Sequence, residues 1–221
     1  MICAMQDHQL KFIELALARR ALRFGQFTLK SGRESPYFFN AGLFSDGEAI
    51  AVLGRCYAAA ISASGLGFDM LFGPAYKGIA LAASTAAALF DHHGRNVPYA
   101  FNRKEAKTHG EGGNLIGAPL AGRVLVIDDV VTAGTAVRES LELIRAAGAQ
   151  PVGCVFALDR QERGLGALSA TQEIEQEHGV KCLSVLTLAE LIEAFARPDA
   201  HGITAGQLAA LEAYRARYGL V

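Results

Sequence analysis

The sequence has little of several features that would place a protein in a specialised class. Its 221 residues carry a formal net charge of −1, so the chain lacks the long-range positive field with which proteins attract nucleic acid. Its four cysteines are far apart and form no CxxC pair, which argues against a disulfide framework and against a zinc site. We expect no nucleic-acid partner and a reducing compartment.

Long apolar runs are lacking as well. Residues 78–90 are apolar, but this stretch is shorter than the ~20 residues that a membrane span requires. The N-terminal segment carries Asp7 and Glu14 within its apolar pattern and is not followed by a small-residue cleavage site, unlike a signal peptide. We therefore expect a cytoplasmic protein with no membrane partner.

What the chain does have is a regular alternation of strand and helix patterns. With 51% hydrophobic residues it can bury a sizeable core. Strands are predicted over 70–72, 97–101, 124–127, 152–158 and 181–186, with helices over 77–90 and 135–147 and a polar loop after 101. Alternation of this kind predicts an α/β fold with a central parallel sheet flanked by helices.

The two ends of the chain fit around this core as one domain over 1–221. Apolar spacing predicts a helix over about 9–24, two short strands around the turn at 30–33 form a small N-terminal hood, and a capping box at 45–48 begins a helix to about 63. Helices follow from 187 and over 204–217. We divide the chain at about 1–45 for the N-terminal helix and hood, 46–195 for the α/β core, and 196–221 for a C-terminal helical extension whose role the sequence leaves open.

The most informative stretch is 124–136, where a buried-strand pattern ends in two carboxylates and a turn of small and hydroxyl residues. Ligands of open α/β sheets bind at such strand-to-helix turns. Backbone N–H groups from Thr132 to Ala136, at the start of the following helix, would face a phosphate. Asp128 and Asp129 could accept hydrogen bonds from ribose hydroxyls, so this turn is a candidate sugar-phosphate site.

The same turn also fits other interpretations. It could be an ordinary strand-to-helix turn with an acidic cap. Paired acids after an apolar strand also occur in receiver domains, but there the strand normally begins the domain, whereas more than a hundred residues precede it here. Neither GxGxxG nor GxxxxGK[ST] fits these residues, which excludes a dinucleotide fingerprint and a Walker loop.

A second candidate is the cationic segment over 101–114. It carries Arg103, Lys104, Lys107 and His109 beside three glycines, and it follows a predicted strand at the same sheet edge. An isolated charge run is usually a solvated loop. A diphosphate ligand would require this concentration of positive charge, and glycines supply hinges, so we interpret the segment as a mobile catalytic lid.

Three smaller features lie near the same predicted edge. The turn over 73–78 contains Tyr76 and Lys77 and could meet a diphosphate, although glycine and proline turns of purely structural function are common. Lys30, Phe38 and Phe39 lie in the hood. Adjacent strand residues point to opposite faces, so the two phenylalanines cannot both fill one core, and one of them is available to stack on a planar base.

Arg160 follows the predicted strand 152–158, at its carboxyl end. Its ordinary role would be a surface pair with Asp159 or Glu162. Arginine is also suited to bind a carboxylate through two parallel hydrogen bonds, so it is a candidate ligand for an acidic substrate.

Together these segments resemble the orotate phosphoribosyltransferases, a group within the type I phosphoribosyltransferases. The resemblance covers about 24–163 and rests on the segments FTLKSGRESPYFFN, GPAYKG, RKEAKTHGEGG, VLVIDDVVTAGTA and LDRQERG, in the order of that family. It implies the type I phosphoribosyltransferase fold and transfer of ribose 5-phosphate from 5-phospho-α-D-ribose 1-diphosphate (PRPP) to orotate. It also implies Mg²⁺ bound mainly through the diphosphate, and a homodimer whose lid is shared between subunits.

The resemblance also implies roles for individual residues. Residues at the diphosphate end would be Lys30, Tyr76, Lys77, Arg103, Lys104, Lys107 and His109. The ribose hydroxyls would be bound by Asp128 and Asp129, and the 5′-phosphate by Val130, Val131, Thr132, Ala133, Gly134, Thr135 and Ala136. Orotate would contact Phe38, Phe39, Thr132 and Arg160. The residues implied in catalysis are Lys104, Lys107, Asp128 and Asp129.

Two other functions stay open at this point. The sugar-phosphate turn alone also permits a phosphoribosyltransferase for another nucleobase, against which the hood aromatics and Arg160 argue. It also permits a regulator that binds PRPP without turnover. Such a regulator should lack the lid cations or carry an added basic domain, and this sequence shows neither.

Overall fold

The computed structural model describes residues 5–29, 32–107, 113–131, 134–164, 166–197 and 202–220, with the backbone alone at 105–107 and 113. Within these residues, a six-stranded sheet has the order β5-β4-β3-β6-β7-β8. Its strands are β3 Met70–Gly73, β4 Tyr99–Lys107, β5 Gly113–Gly117, β6 Arg123–Ile127, β7 Gln150–Asp159 and β8 Lys181–Thr187. All neighbouring pairs except β4 and β5 are parallel, which confirms the predicted α/β fold.

Successive side chains along the strands belong to two hydrophobic clusters on opposite faces of the sheet. In β6, Leu125 and Ile127 join one cluster, whereas Val124 and Val126 join the other. The helices packed into the first cluster are α1 Asp7–Ala18, α2 Gly47–Ser64, α3 Lys77–His93, α6 Leu188–Phe195 and α7 Ala205–Tyr218; those in the second are α4 Thr135–Ala146 and α5 Ala170–His178. Burial on both faces explains why the β6 sequence is almost continuously apolar. Among the described residues, no helix is both long and apolar enough to cross a membrane.

The N-terminal helix is shorter than predicted. It ends at Ala18, and Arg20 has a φ of +54°, in the left-handed region that breaks a right-handed helix. Strand β1, Leu22–Thr28, then begins and pairs antiparallel with β2, Glu34–Phe39. The prediction that the helix continues to about 24 is therefore wrong, because pairing with β2 overrides the helical spacing of residues 21–24.

The predicted hood strands are confirmed, and α2 begins close to its predicted position. β1 and β2 form their own two-stranded sheet, as the turn between the two aromatic runs predicted. The capping residue of α2 is Asp46, whose side chain accepts a hydrogen bond from Ala49 N–H at 2.8 Å. The predicted capping box would have used Ser45, so the cap lies one residue further along the chain.

The predicted polar loop after residue 101 is partly a strand. β4 continues to Lys107, and β5 returns antiparallel beside it, with Asn102 opposite Leu115 and Lys107 opposite Gly113. Polar side chains are compatible with strands at the border of a sheet, where one side is open to solvent. Because β5 runs antiparallel, the sheet is mostly parallel rather than wholly so.

The topology brings two candidate turns together. The chain leaves β3 toward β4 on one side and returns to β6 on the other, so the change of direction lies between β3 and β6. Parallel strands end at the same edge, and the crevice at such a switch point is where open α/β sheets bind ligands. The turns that follow Gly73 and Ile127 are therefore neighbours at that edge.

Candidate active site

The acidic turn after β6 is held by three hydrogen bonds, two to β7 and one to α2. The backbone N–H of Asp128 donates to the carbonyl of Val155 at 3.0 Å, and the carbonyl of Asp129 accepts from Ala157 N–H at 2.8 Å. From α2, the hydroxyl of Tyr57 donates to the carbonyl of Asp128 at 2.7 Å. Because these bonds fix the main chain, the two carboxylates have defined positions before any ligand binds.

The two carboxylates differ in their electrostatic surroundings. Asp129 is buried and its Oδ2 lies 2.5 Å from Nζ of Lys77. Burial, followed by repulsion from the charge of Asp129, raises the pKa of Asp128 from 3.8 to about 7. Near neutral pH the turn therefore holds one carboxyl that titrates, Asp128, beside the carboxyl group that is paired with Lys77.

The small-residue turn leads directly into α4. Gly134 caps that helix with a φ of +73°, a conformation that glycine adopts without the cost imposed on a side chain. Asp128, Val130, Val131, Gly134, Thr135 and Ala136 line an open cavity of about 120 Å³ together with Val137. The first N–H groups of a helix have no partner within it, so the cavity is suited to a phosphate. Thr132 and Ala133 lie outside the described residues.

The turn from Gly73 to Gly78 packs tightly against the acidic turn. A Cβ on Gly73 would lie 2.0 Å from the carbonyl oxygen of Gly78, and a Cβ on Gly78 would lie 2.8 Å from the carbonyl oxygen of Ile127. Only glycine permits these two approaches. The Ala75–Tyr76 peptide bond is cis, and Ala75 N–H donates to Oδ1 of Asn102 at 2.8 Å.

Cations from two segments gather beside this turn. Lys77 begins α3 and forms the ion pair with Asp129 described above. Lys104, on β4, places its Nζ 4.9 Å from the ring centre of Tyr76, which is 67% exposed. Arg103 is half-buried beside it on the same strand. The side chain of Lys107, and the whole of His109, lie outside the described residues.

Phe38 and Phe39, the two candidate residues of the hood, lie on opposite faces of its sheet. Phe39 packs on the core side, with ring centres 6.0 Å from Phe12 and 6.1 Å from Phe44. Phe38 points to the opposite face, where its ring centre lies 5.6 Å from that of Phe27 and under the guanidinium of Arg23. Phe38 is therefore the one that can meet a planar base, whereas Phe39 anchors the hood. Lys30 lies outside the described residues.

Arg160 is held on several sides. Its Nη2 lies 2.6 Å from Oε1 of Glu162, and its guanidinium stacks on the ring of Tyr37, 4.3 Å from the ring centre. The pair with Glu162 is the ordinary role that the sequence also allowed. The same group donates to Oγ of Ser35 in β2 at 3.3 Å, which ties the loop after β7 to the hood.

Several residues at the site escaped the sequence analysis. Tyr57 accounts for one hydrogen bond to the acidic turn and Asn102 for one to the turn from Gly73 to Gly78, and Ser35 and Tyr214 contact Arg160. Tyr57 and Tyr214 lie outside the segments that stand out in the chain, and Ser35 and Asn102 lie within such segments but carry no signal of their own. Their roles come from contacts between segments far apart in sequence.

Comparison with known proteins decides the family. The phosphoribosyl transferase domain family matches residues 43–175. An orotate phosphoribosyltransferase of Thioalkalivibrio sulfidiphilus is 62% identical over 216 residues, covering 98% of this chain and all of that protein. The chain belongs to the orotate phosphoribosyltransferase family.

Other members of the orotate phosphoribosyltransferase family give the same result. The protein of that name from Klebsiella pneumoniae is 58% identical over 217 residues, again covering 98% of this chain. The crystal structure of the Francisella tularensis orotate phosphoribosyltransferase superposes with a TM-score of 0.83 at 41% identity, covering 94% of this chain and 98% of that one. A Mycobacterium tuberculosis orotate phosphoribosyltransferase in complex with PRPP matches at a TM-score of 0.60 and 27% identity, covering 82% of this chain and 98% of that one.

Proposed function

We propose that this protein transfers the 5-phosphoribosyl group from PRPP to N1 of orotate, giving orotidine 5′-monophosphate and diphosphate in UMP biosynthesis. The observation that carries this proposal is the meeting of two turns at one sheet edge, joined by the 2.5 Å ion pair between Lys77 and Asp129. One turn offers carboxylates and a helix N-terminus to a ribose 5-phosphate, and the other offers a cation to its diphosphate. Relatives that match along nearly the whole chain are orotate phosphoribosyltransferases.

The proposed contacts divide the site into two ends. At the phosphoribosyl end, Asp128 and Asp129 bind the ribose hydroxyls, and the turn from Val130 to Ala136 binds the 5′-phosphate. The diphosphate lies near Lys30, Tyr76, Lys77, Arg103, Lys104, Lys107 and His109. At the base end, Phe38 stacks on orotate, Thr132 borders it, and Arg160 binds its carboxylate.

Catalysis in this proposal depends on positioning and electrostatics. As the bond at the anomeric carbon breaks, the sugar becomes cation-like and the diphosphate gains negative charge. Lys104 and Lys107 stabilise that departing charge, and the carboxylates of Asp128 and Asp129 lie beside the sugar. Lys77 exchanges its partner Asp129 for the diphosphate when PRPP binds. Orotate reacts as an anionic nitrogen nucleophile, so the chain does not have to supply a strong general base.

Magnesium is part of the proposal, and the donor set at the acidic turn fits it. Among the described residues, no group of three or more His, Cys, Asp or Glu side chains could hold a metal ion by itself. Mg²⁺ typically uses substrate phosphates and water together with one or two carboxylates, so the ion would be held mainly by the diphosphate of PRPP, with Asp128 and Asp129 as the nearby carboxylates. When bound, the ion neutralises charge on the leaving diphosphate.

We also propose a homodimer in which the segment joining β4 and β5 reaches the partner's site. The support is the resemblance, together with the position of β5 at the edge of the sheet, beside the cationic strand β4. Mixing Lys107→Ala protein with Asp128→Asn protein tests it. If the lid is shared, hybrid dimers contain one intact site and activity returns; if each site is self-contained, the mixture stays as inactive as its parts.

A cytoplasmic location belongs to the same proposal. Cys56, Cys154 and Cys182 are free thiols, and Cys56 and Cys154 are buried in the core. Free thiols of this kind persist in a reducing compartment.

A diphosphate-release assay with a panel of bases tests the function. The purified protein, with PRPP and Mg²⁺, should release diphosphate with orotate and not with adenine, guanine, hypoxanthine or uracil. Release with a purine would favour a phosphoribosyltransferase for that base. PRPP binding without release for any base would favour the non-catalytic regulator.

A further inference from the structure

The C-terminal end of the chain is built onto the loop that carries Arg160. Leu220 N–H donates to the carbonyl of Gln161 at 3.1 Å, and Arg163 N–H donates to the carbonyl of Tyr218 at 2.9 Å. Between these two bonds, Glu162 and Gly219 form an antiparallel bridge. The last residues of the chain therefore run alongside the segment that follows β7 and fix its backbone.

From helix α7, Tyr214 reaches the charged pair at the centre of that loop. Its hydroxyl donates to Oε1 of Glu162 at 2.9 Å and accepts from Nη2 of Arg160 at 3.4 Å. Burial raises the pKa of Tyr214, so its hydroxyl keeps the proton that it donates. The ring packs edge-on against Tyr37 of β2, with ring centres 6.0 Å apart, and this contact orients the hydroxyl.

Glu162 connects Tyr214 to Arg160, because its Oε1 accepts hydrogen bonds from both side chains. Its Oε1 accepts from Nε of Arg160 at 2.7 Å, and its Oε2 lies 3.6 Å from Nη1 of Arg33. A carboxylate shared by two arginines has alternative orientations. The bond from Tyr214 selects the one in which Oε1 faces Nε and Nη2 of Arg160. One edge of the guanidinium is then occupied, and within the described part of the chain its Nη1 has no hydrogen-bond partner, which leaves this nitrogen for a substrate.

We propose that Tyr214 is a positioning residue for orotate: through Glu162 it sets the orientation in which Arg160 meets the orotate carboxylate. The C-terminal extension is then a specificity-determining part of the base end rather than an appendage. This inference rests on the proposed function, since it requires that Arg160 contacts orotate.

The test is Tyr214→Phe, which keeps the ring against Tyr37 and removes only the hydroxyl. KM for orotate should rise about three- to tenfold, the range of one net hydrogen bond, while KM for PRPP and kcat change less than about twofold. Tyr218→Phe is the matched control, since among the described residues its hydroxyl has no hydrogen-bond partner and its ring contacts Arg33 and Arg217. It should leave both KM values unchanged, and thermal unfolding should show both variants folded.

A double-mutant cycle separates positioning from a general structural role. If Tyr214 acts through Arg160, Tyr214→Phe should have no further effect on KM for orotate once Arg160 is replaced by Ala, or by Lys if the Ala variant does not fold. An unchanged KM for orotate in the Tyr214→Phe single variant, or an equal rise in both KM values, overturns the inference. If Arg160→Ala itself spares orotate, the proposed role of Arg160 fails instead.

Discussion

The two ends of the site are built differently. At the phosphoribosyl end, the groups come from turns that directly follow β3 and β6, adjacent strands of the sheet, and their geometry is set by backbone bonds and by glycines at Gly73, Gly78 and Gly134. At the base end, Arg160 is oriented by Ser35 and Tyr214, which are 125 and 54 residues away in sequence. In the proposed function, sugar-phosphate binding therefore depends on the sheet itself, whereas base recognition depends on elements packed around it.

The largest effect should come from the leaving-group side of the phosphoribosyl end. Lys107→Ala should lower kcat about 100- to 1000-fold with a small change in either KM, because in the proposed function its charge stabilises the departing diphosphate. Lys181→Ala, an exposed lysine at the start of β8, is the control and should retain full turnover. Unchanged turnover in Lys107→Ala would remove that lysine from the catalytic group.

Arg160→Ala should be the largest effect confined to the base end. Loss of a charge-assisted contact costs about 1.5–3 kcal/mol, so kcat/KM for orotate should fall on the order of ten- to hundredfold. Arg55→Ala, which removes an exposed arginine of α2, controls for loss of charge. Orotate kinetics equal to those of the unmodified protein would show that Arg160 has only a structural role, in its ion pair with Glu162.

The raised pKa of Asp128 predicts a conflict between function and stability. The folded protein retains a proton there up to about pH 7, whereas the unfolded chain releases it near 3.8, so stability should fall as the pH rises between these values. Asp128→Asn should therefore be more stable than the unmodified protein, by a few kcal/mol at most at pH 8, from about 1.4 kcal/mol per unit of pKa shift.

Urea unfolding of both proteins at pH 5 and pH 8 measures this effect. The advantage of Asn should grow with pH, while phosphoribosyl transfer by that variant is lost. An advantage that is the same at both pH values would show that the carboxyl ionises without cost in the folded protein.

The smallest effects should come from the neighbouring pair in the hood. Phe39→Leu should lower the free energy of unfolding by about 1 kcal/mol, since it loses ring contacts with Phe12 and Phe44, and should spare orotate binding. Phe38→Leu should instead raise KM for orotate a few-fold and leave the free energy of unfolding nearly unchanged. Equilibrium unfolding and steady-state kinetics on both variants decide, and an exchange of these two phenotypes would reverse the assignment of faces.

Much of the arrangement at the phosphoribosyl end could be predicted, because it depends on residues that are close together in the sequence. Val124 to Ile127 are apolar on both faces of a buried strand, and the acids that follow stand where the strand must end. The order of strands and helices then placed this turn and the one after Gly73 at the same edge. The fold class followed from the same alternation.

The remaining features depend on contacts that a linear pattern does not contain. The left-handed φ of Arg20 and the pairing of Leu22 with Phe39 ended the first helix early. The polar residues after Phe101 form a strand because β5 lies beside them. Around Arg160, burial between the hood and α7 turned an apparently exposed charge pair into a fixed group, and Tyr214 gave no signal in the sequence.

Calorimetric titration of PRPP into the Arg160→Ala variant is the most direct test of the division between the two ends. If the phosphoribosyl end is built by the sheet alone, Kd for PRPP should stay within about twofold of the unmodified protein, although orotate turnover is impaired. A Kd weakened tenfold or more, in a variant shown to be folded, would contradict the account, because the two ends would then form a single coupled unit.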